Sequence, residues 1–371
     1  MNPTKAFISL KNFKYNLQNI KKHVGNKKML IAVKGDAYGH GAVRLCELIE
    51  KDKLADYLGV ATSGEGLILR KANIKLPILK FTQCFPEELE ELIQNNIEIA
   101  VYSEDFLEFA ADITKKNNKE LKIHIKIDTG MGRVGITKNS YKSIISILKK
   151  NPQLKTTGFM THFAAADFKK KDFTILQNKR FMHAIEFFKK NGINPEIIHA
   201  ANSGAVIDHP DTWYDMVRPG IICYGYYPSN ETSETIKIKP VMTLTSVVSF
   251  IKKVAANTPI SYSMTYKTPE KNYIATIPVG YGDGYSRLLS NRGKVSIKTR
   301  EYKVCGRICM DQFMVDIGKN KPDICVGDEV VLFGEKDGNC VSLEYLCSIV
   351  NTITYELLIN VSQRIPRIYI D

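Results

Sequence analysis

At 371 residues the chain is long for one hydrophobic core and comfortable for two. Its 44% apolar content is ordinary for a globular protein, and runs such as IIHAANSGAVI are too short and interrupted to span a bilayer. The net charge of +13 comes from lysines scattered over polar, helix-like stretches, with no basic stripe interleaved with aromatics, so it argues against a nucleic-acid partner.

The opening MNPTKAFISLKNFKYN lacks the apolar core and cleavage site of a secretory signal, so a cytoplasmic location is expected. The eight cysteines (Cys46, Cys84, Cys223, Cys305, Cys309, Cys325, Cys340 and Cys347) show no CxxC spacing and read as reduced thiols. Cys305 and Cys309 have no histidine near them, so no metal site is expected.

In chain order, eight short apolar runs alternate with amphipathic stretches: KMLIAVK, DYLGVAT, LPILKF, IEIAVY, LKIHIKI, TTGFMTH, EIIHAA and VRPGIICYG. Between them lie segments such as GAVRLCELIEKDK, PEELEELIQNN, SEDFLEFAADITKK, SYKSIISILKK and FTILQNKRFMHAIEFFKKNG, whose apolar residues recur every three or four positions. Strands alternating with helices imply a parallel sheet, and eight such units suggest a closed (β/α)₈ barrel; an open doubly wound sheet is the alternative. After about residue 236 the pattern becomes β-rich, with helical periodicity only in SLEYLCSIVNTITYELLIN. The expectation is an α/β chain: an N-terminal (β/α)₈ TIM barrel over residues 1–235, then a mainly β domain over residues 236–371. The first ten or so residues are free to pack with the C-terminal domain, and the linker falls near YPSNETSETIKIK.

In such a barrel the chemistry sits at the C-terminal ends of the strands. The first strand ends in AVKGDAYGHG, which places Lys34 where a desolvated amine can form a Schiff base. Gly35, Gly39 and Gly41 allow a tight turn there. HIKIDTGMGRVG supplies Lys126, Asp128 and Arg133, either a charged strand end with a structural salt bridge or a binding group, since an Arg fork donates two bonds in fixed geometry. FMTHFA ends on His162. In HAANSGA, Asn202 and Ser203 stand before a helix start, where exposed amides and a hydroxyl make an anion site or simply a cap.

The string VKGDAYGHG resembles the cofactor-lysine signature of alanine racemases, VKAxAYGHG. The likeness runs along nearly the whole chain, through GVAT, KIDTGMGRVG, THFAAAD, ANSGA, RPGIICYG, SYSMTY, IPVGYGDG, VCGRICMDQFMVDI, TITYELL and RIPRIYID. It implies pyridoxal 5'-phosphate held on Lys34 as a Schiff base, and interconversion of L- and D-alanine by two bases, Lys34 and Tyr262. The resemblance also implies that Tyr262 comes from the partner of a homodimer with shared active sites, and that the D-alanine supplies peptidoglycan. It assigns Arg133 to the cofactor and the substrate carboxylate, His162 to the side of the cofactor ring, and Arg218 to the pyridine nitrogen. The phosphate would be held by Asn202, Ser203, Gly220, Ile221, Tyr38 and Tyr355. Met310 and Tyr281 would meet substrate, with Asp311 and a carbamylated Lys126 in support.

Three departures from the family pattern stand out. Ser263 and Met264 follow the catalytic tyrosine where Gly is usual, Gly35 replaces a common Ala, and GVATSGEG replaces GVATxEEA. The rival readings are a racemase of serine or lysine, a barrel-type amino-acid decarboxylase, and a non-catalytic pyridoxal-phosphate carrier; the last would lack the β domain with Tyr262.

Overall fold

The computed structural model describes residues 2–320 and 323–371. They form two compact units: Phe13–Ala37 with Ala42–Lys239, and residues 2–12 with Tyr38–Gly41 and the described residues from Pro240 to Asp371. The chain opens on β1 (Lys5–Ser9) and α1 (Leu10–Val24).

The first unit holds eight parallel strands: β2 (Lys28–Ala32), β3 (Tyr57–Val60), β4 (Ile78–Lys80), β5 (Ile97–Val101), β6 (Leu121–Lys126), β7 (Leu154–Met160), β8 (Ile197–His199) and β9 (Met216–Val217). Their order is β8-β7-β6-β5-β4-β3-β2-β9, a nearly closed ring. The seam between β8 and β9 is bridged by Asp215 N donating to Ile198 O at 3.0 Å and Arg218 N to Ala201 O at 2.8 Å. The expected barrel is therefore present. Strands β3, β4 and β5 are buried at every position, as strands covered on both faces must be. Leu30, Leu79, Ala100, Met160, Ile197 and Met216 fill the interior with Tyr57 and Tyr102.

The helices α2 (Lys34–Gly39), α3 (Ala42–Lys51), α4 (Ser63–Lys71), α5 (Pro86–Gln94), α6 (Glu104–Asn117), α7 (Tyr141–Lys150), α8 (Asp172–Lys190) and α9 (Ser203–Asp208) follow the strands. None of the described helices is long and apolar enough to cross a membrane. The last strand departs from the sequence reading. It is Met216–Val217, and the IICY of the apolar run VRPGIICYG is a 3₁₀ turn, Ile221–Tyr224. Burial drives that apolar content whatever the backbone does, so a run alone does not separate the two.

The second unit contains β10 (Met242–Val247), β11 (Phe250–Val254), β12 (Pro259–Ile260), β13 (Tyr266–Lys267), β14 (Asn272–Ile277), β15 (Lys294–Ile297), β16 (Arg300–Lys303), β17 (Phe313–Gly318), β18 (Glu329–Lys336), β19 (Asn339–Val341) and β20 (Arg367–Ile370). The main sheet runs β16-β15-β18-β10-β1-β20, with β19 on β18; a second runs β11-β14-β17 and a ribbon pairs β12 with β13. β1 lies antiparallel to β10 and parallel to β20, so the chain's first and last strands share a sheet. The helical stretch near the end is two helices, α10 (Leu343–Val350) and α11 (Thr354–Ile359), broken where Asn351 turns left-handed at φ 56°.

Candidate active site

Four basic groups stand at the C-terminal ends of the barrel strands. Lys34 follows β2 and opens α2, whose residues Gly35, Asp36, Ala37, Tyr38 and Gly39 all have positive φ, between 53° and 82°. This is one left-handed turn, which costs a non-glycine residue about 1–2 kcal/mol. Such strain persists where the surroundings enforce it, commonly at functional sites. The turn is braced by Glu65, whose Oε1 accepts from Gly35 N at 2.7 Å while Oε2 accepts from Ala61 N at 2.7 Å. Sequence reasoning did not single out Glu65. The signal was available, because Thr62 and Glu65 form the capping box of α4.

Lys34 keeps access to solvent, yet the protein around its amine desolvates it and lowers it, followed by the charge of Arg133; Glu65 opposes both. Lys126, the last residue of β6, is only 4% exposed, and burial with Arg218 and Arg133 brings its amine down to about 7. Arg133 is exposed on the loop after β6. Asp128 shapes that loop by accepting from Gly130 N at 2.9 Å and Gly132 N at 3.2 Å.

Arg218, just after β9, is 5% exposed. Its Nη2 donates to Thr161 O at 2.7 Å and Ala200 O at 2.9 Å, and lies 3.3 Å from His162 Nδ1; its Nη1 lies 3.0 Å from His199 Nδ1. Burial lowers the guanidinium to about 9, so it stays charged at neutral pH. An arginine has no lone pair to offer, so both imidazoles must accept through Nδ1 and carry their proton on Nε2. Desolvation, then Arg218, Lys126, Arg133 and Lys34, hold His162 well below its ordinary value, in its neutral form.

Beside these groups lies an anion cradle. Asn202 caps α9, accepting from Ala205 N at 3.1 Å and donating to Phe163 O at 3.2 Å. Ser203 Oγ accepts from Gly220 N at 2.9 Å, which ties α9 to the turn opening at Ile221. The first amides of α9 have no carbonyl one turn earlier. Two amines, two guanidinium groups, a hydroxyl and these amides make a donor set that fits an aldehyde cofactor carrying a phosphate.

The remaining sequence candidates belong to the β unit. Tyr262 is 70% exposed in a 3₁₀ turn after β12. Ser261, Ser263 and Met264 around it have φ of 65°, 60° and 51°. Ser263 therefore occupies the left-handed region that the usual Gly would enter without strain. Ser261 Oγ donates to Arg307 O at 2.6 Å, while Tyr281 N donates to Cys309 O at 3.1 Å and Gly282 N to Met310 O at 2.9 Å. These bonds bring Tyr262, Tyr281 and Met310 onto neighbouring loops. Gly280 cannot be replaced there, because a Cβ would lie 2.2 Å from Cys309 O. Asp311 pairs with Arg364 Nη2 at 2.9 Å, and Arg364 also reaches Asp283 at 3.4 Å. The rings of Tyr38 and Tyr355 pack 5.8 Å apart.

Comparison with known proteins gives the family. The family described as "Alanine racemase, N-terminal domain" matches residues 8–228, and "Alanine racemase, C-terminal domain" matches residues 241–369. An alanine racemase of Clostridium novyi is 42% identical, over 100% of this chain and 96% of the relative. A solved alanine racemase of Clostridium difficile superposes with a TM-score of 0.94 at 40% identity, covering 100% of this chain and 96% of that one. The Clostridium difficile enzyme in complex with cycloserine gives a TM-score of 0.92 at 40% identity, with the same coverage. This chain belongs to the alanine racemase family and is an amino-acid racemase.

Proposed function

We propose that the chain interconverts L- and D-alanine with pyridoxal 5'-phosphate carried on Lys34, using Lys34 on one face of the α-carbon and Tyr262 of a second copy on the other. The observation that carries this reading is the convergence of a depressed amine, Lys34, with Arg133, His162 and Arg218 at one end of the barrel. When bound, the cofactor supplies a delocalised sink for the electron pair left as the α-proton departs. Its phosphate would be held by Asn202, Ser203, Gly220, Ile221, Tyr38 and Tyr355.

The lowered amine of Lys34 gives up its proton more readily than an ordinary lysine, which suits it to act as a base once substrate has displaced it. Tyr262, open to solvent in the single chain, is free to present its phenol to a neighbouring copy. Arg218 would donate to the ring nitrogen. A permanently charged donor there would keep that nitrogen unprotonated, and a weaker sink would favour plain proton exchange over transamination and decarboxylation. Arg133 and the Met310 amide would hold the substrate carboxylate, and Tyr281 with Tyr355 would narrow the entrance for a small side chain. Lys126, with its amine brought down to about 7, has a substantial neutral fraction at neutral pH that would take up carbon dioxide, and the resulting carbamate would anchor Arg133. Asp311, through Arg364, would steady the Met310 loop. We place the enzyme in the cytoplasm as a homodimer that supplies D-alanine for peptidoglycan.

The test is D-alanine formation when purified protein, supplied with pyridoxal phosphate, is given L-alanine. Conversion abolished by prior borohydride reduction supports the reading. Conversion of serine or lysine but not alanine would reassign the substrate, and the absence of any lysine-bound cofactor would overturn the proposal.

A further inference from the structure

The buried cation of Arg218 has no carboxylate within ion-pair distance among the described residues, yet a continuous line of hydrogen bonds leads from it to one. His199 Nδ1 lies 3.0 Å from Arg218 Nη1, His199 Nε2 lies 2.8 Å from His124 Nδ1, and His124 Nε2 lies 2.8 Å from Glu98 Oε2. All four side chains are buried, Glu98 at 3% exposed and both imidazoles at 0%. Glu98 is the second residue of β5, so it sits toward the N-terminal end of the barrel, whereas Arg218 follows the C-terminal end of β9. The line therefore runs lengthwise through the barrel interior.

Its ends fix its direction. Arg218 can only donate, which sets the sense of every bond down to the Glu98 carboxyl. His199 must then accept at Nδ1 and donate from Nε2, and His124 must do the same, so both rings are neutral Nε2–H tautomers. Burial, followed by the nearby charge of Arg218, independently holds His199 in its neutral form. Space is reserved for the line as well: a Cβ on Gly158 would lie 2.1 Å from His124 Nδ1. The edge of the His124 ring meets Tyr57, whose phenol is kept protonated by burial and by Glu98. Lys122 approaches Glu98 at 4.0 Å but is more than half exposed, so it neutralises little of the buried charge.

We propose that Glu98 is the counter-charge of Arg218, coupled to it through the one-directional relay His124–His199, and that this relay holds and polarises the guanidinium that faces the cofactor ring. Glu98, His124 and His199 are positioning residues for racemisation, and the proposal rests on the role given above to Arg218. Chains of hydrogen bonds in a low-dielectric interior strengthen one another, which is how a remote carboxylate acts on the group at the far end.

Two measurements test it. Imidazole nitrogen NMR of the unmutated protein, with and without pyridoxal phosphate, should report neutral Nε2–H tautomers for His124 and His199; an Nδ1–H tautomer or a doubly protonated ring at either position overturns the relay. Glu98→Gln keeps an acceptor and the shape but removes the charge. It should lower kcat roughly tenfold with KM for alanine within about twofold, and should shift the His199 nitrogen resonances, since partners behind an active-site group commonly matter by 10–100-fold. Unchanged kcat and unchanged His199 resonances would overturn the counter-charge role. If Glu98→Gln fails to fold, the tautomers of the unmutated protein decide alone. An unmutated protein that does not racemise alanine defeats the functional reading instead, and leaves the tautomer result standing.

Discussion

Gly158 on β7 lies directly across from His124 on β6, and a Cβ added at Gly158 would fall 2.1 Å from the imidazole Nδ1. The ring cannot retreat, because it is tied to Glu98 on one side and His199 on the other at 2.8 Å each. Gly158→Ala should therefore destabilise the barrel by about 1–3 kcal/mol, the usual cost of overpacking a tight interior. Denaturant midpoints of the two proteins measure this directly. An unchanged midpoint would mean that the ring can give way.

Lys126 predicts a pH dependence of stability. Its folded pKa, about 7, lies below its unfolded value, so between pH 7 and roughly 10 the unfolded chain binds more protons than the folded one. Stability from this residue rises with pH across that window, and below pH 7 the full cost of burying the ammonium is present. Lys126→Met removes that cost. Its stability advantage over the unmutated protein should be largest near pH 6 and shrink steadily toward pH 10, read by urea unfolding at each pH. In bicarbonate buffer the advantage should shrink further, since a carbamate replaces the amine, and a gap that ignores both pH and bicarbonate would refute the depressed pKa.

The two outcomes above were unequally legible in the sequence. Lys34 and His162 could be found because each ends an apolar run, with Arg133 in the loop after another, and a barrel gathers strand ends at one mouth; Arg218, inside VRPGIICYG, was marked only by the family resemblance. Glu98, His124 and His199 passed as ordinary members of IEIAVY, LKIHIKI and EIIHAA. Single polar residues within apolar strands look alike whether they face the barrel interior or its helices. Only the register, with Ala100 beside His124 and Met160 beside His199, places the three rows next to one another. The left-handed turn after Lys34 was half visible. Its glycines signalled a tight turn, but Asp36, Ala37 and Tyr38 carry no mark of positive φ and are held there by their surroundings.

Arg218→Lys is not a conservative change. The guanidinium serves Thr161 O, Ala200 O, His162 and His199 at once, and an ammonium has one centre from which to do so. At least one buried acceptor is left unpaired, at about 1–3 kcal/mol. Thermal unfolding should record that loss, and kcat/KM for alanine should fall on the order of 100-fold, the effect of removing one well-placed electrostatic group. Near-normal turnover with reduced stability would confine Arg218 to a structural role.

The sharing of Tyr262 between copies is tested with two inactive variants. Lys34→Ala should lose the lysine-bound cofactor and nearly all activity; Tyr262→Phe should retain the cofactor but racemise at least about 100-fold more slowly, the scale expected for losing an acid–base group. Suppose the two chains are co-expressed with different tags and the mixed dimer is purified. If each site takes Lys34 from one copy and Tyr262 from the other, one site carries both changes and the other carries neither. The mixed dimer should then recover about half of the unmutated turnover per dimer, since two-fold symmetry gives two equivalent sites. If each chain builds its site alone, both sites of the mixed dimer are defective and it stays as inactive as its parents. The exposure of Tyr262, at 70% in the single chain, favours the first outcome, because a phenol that its own chain leaves open is available to a second copy.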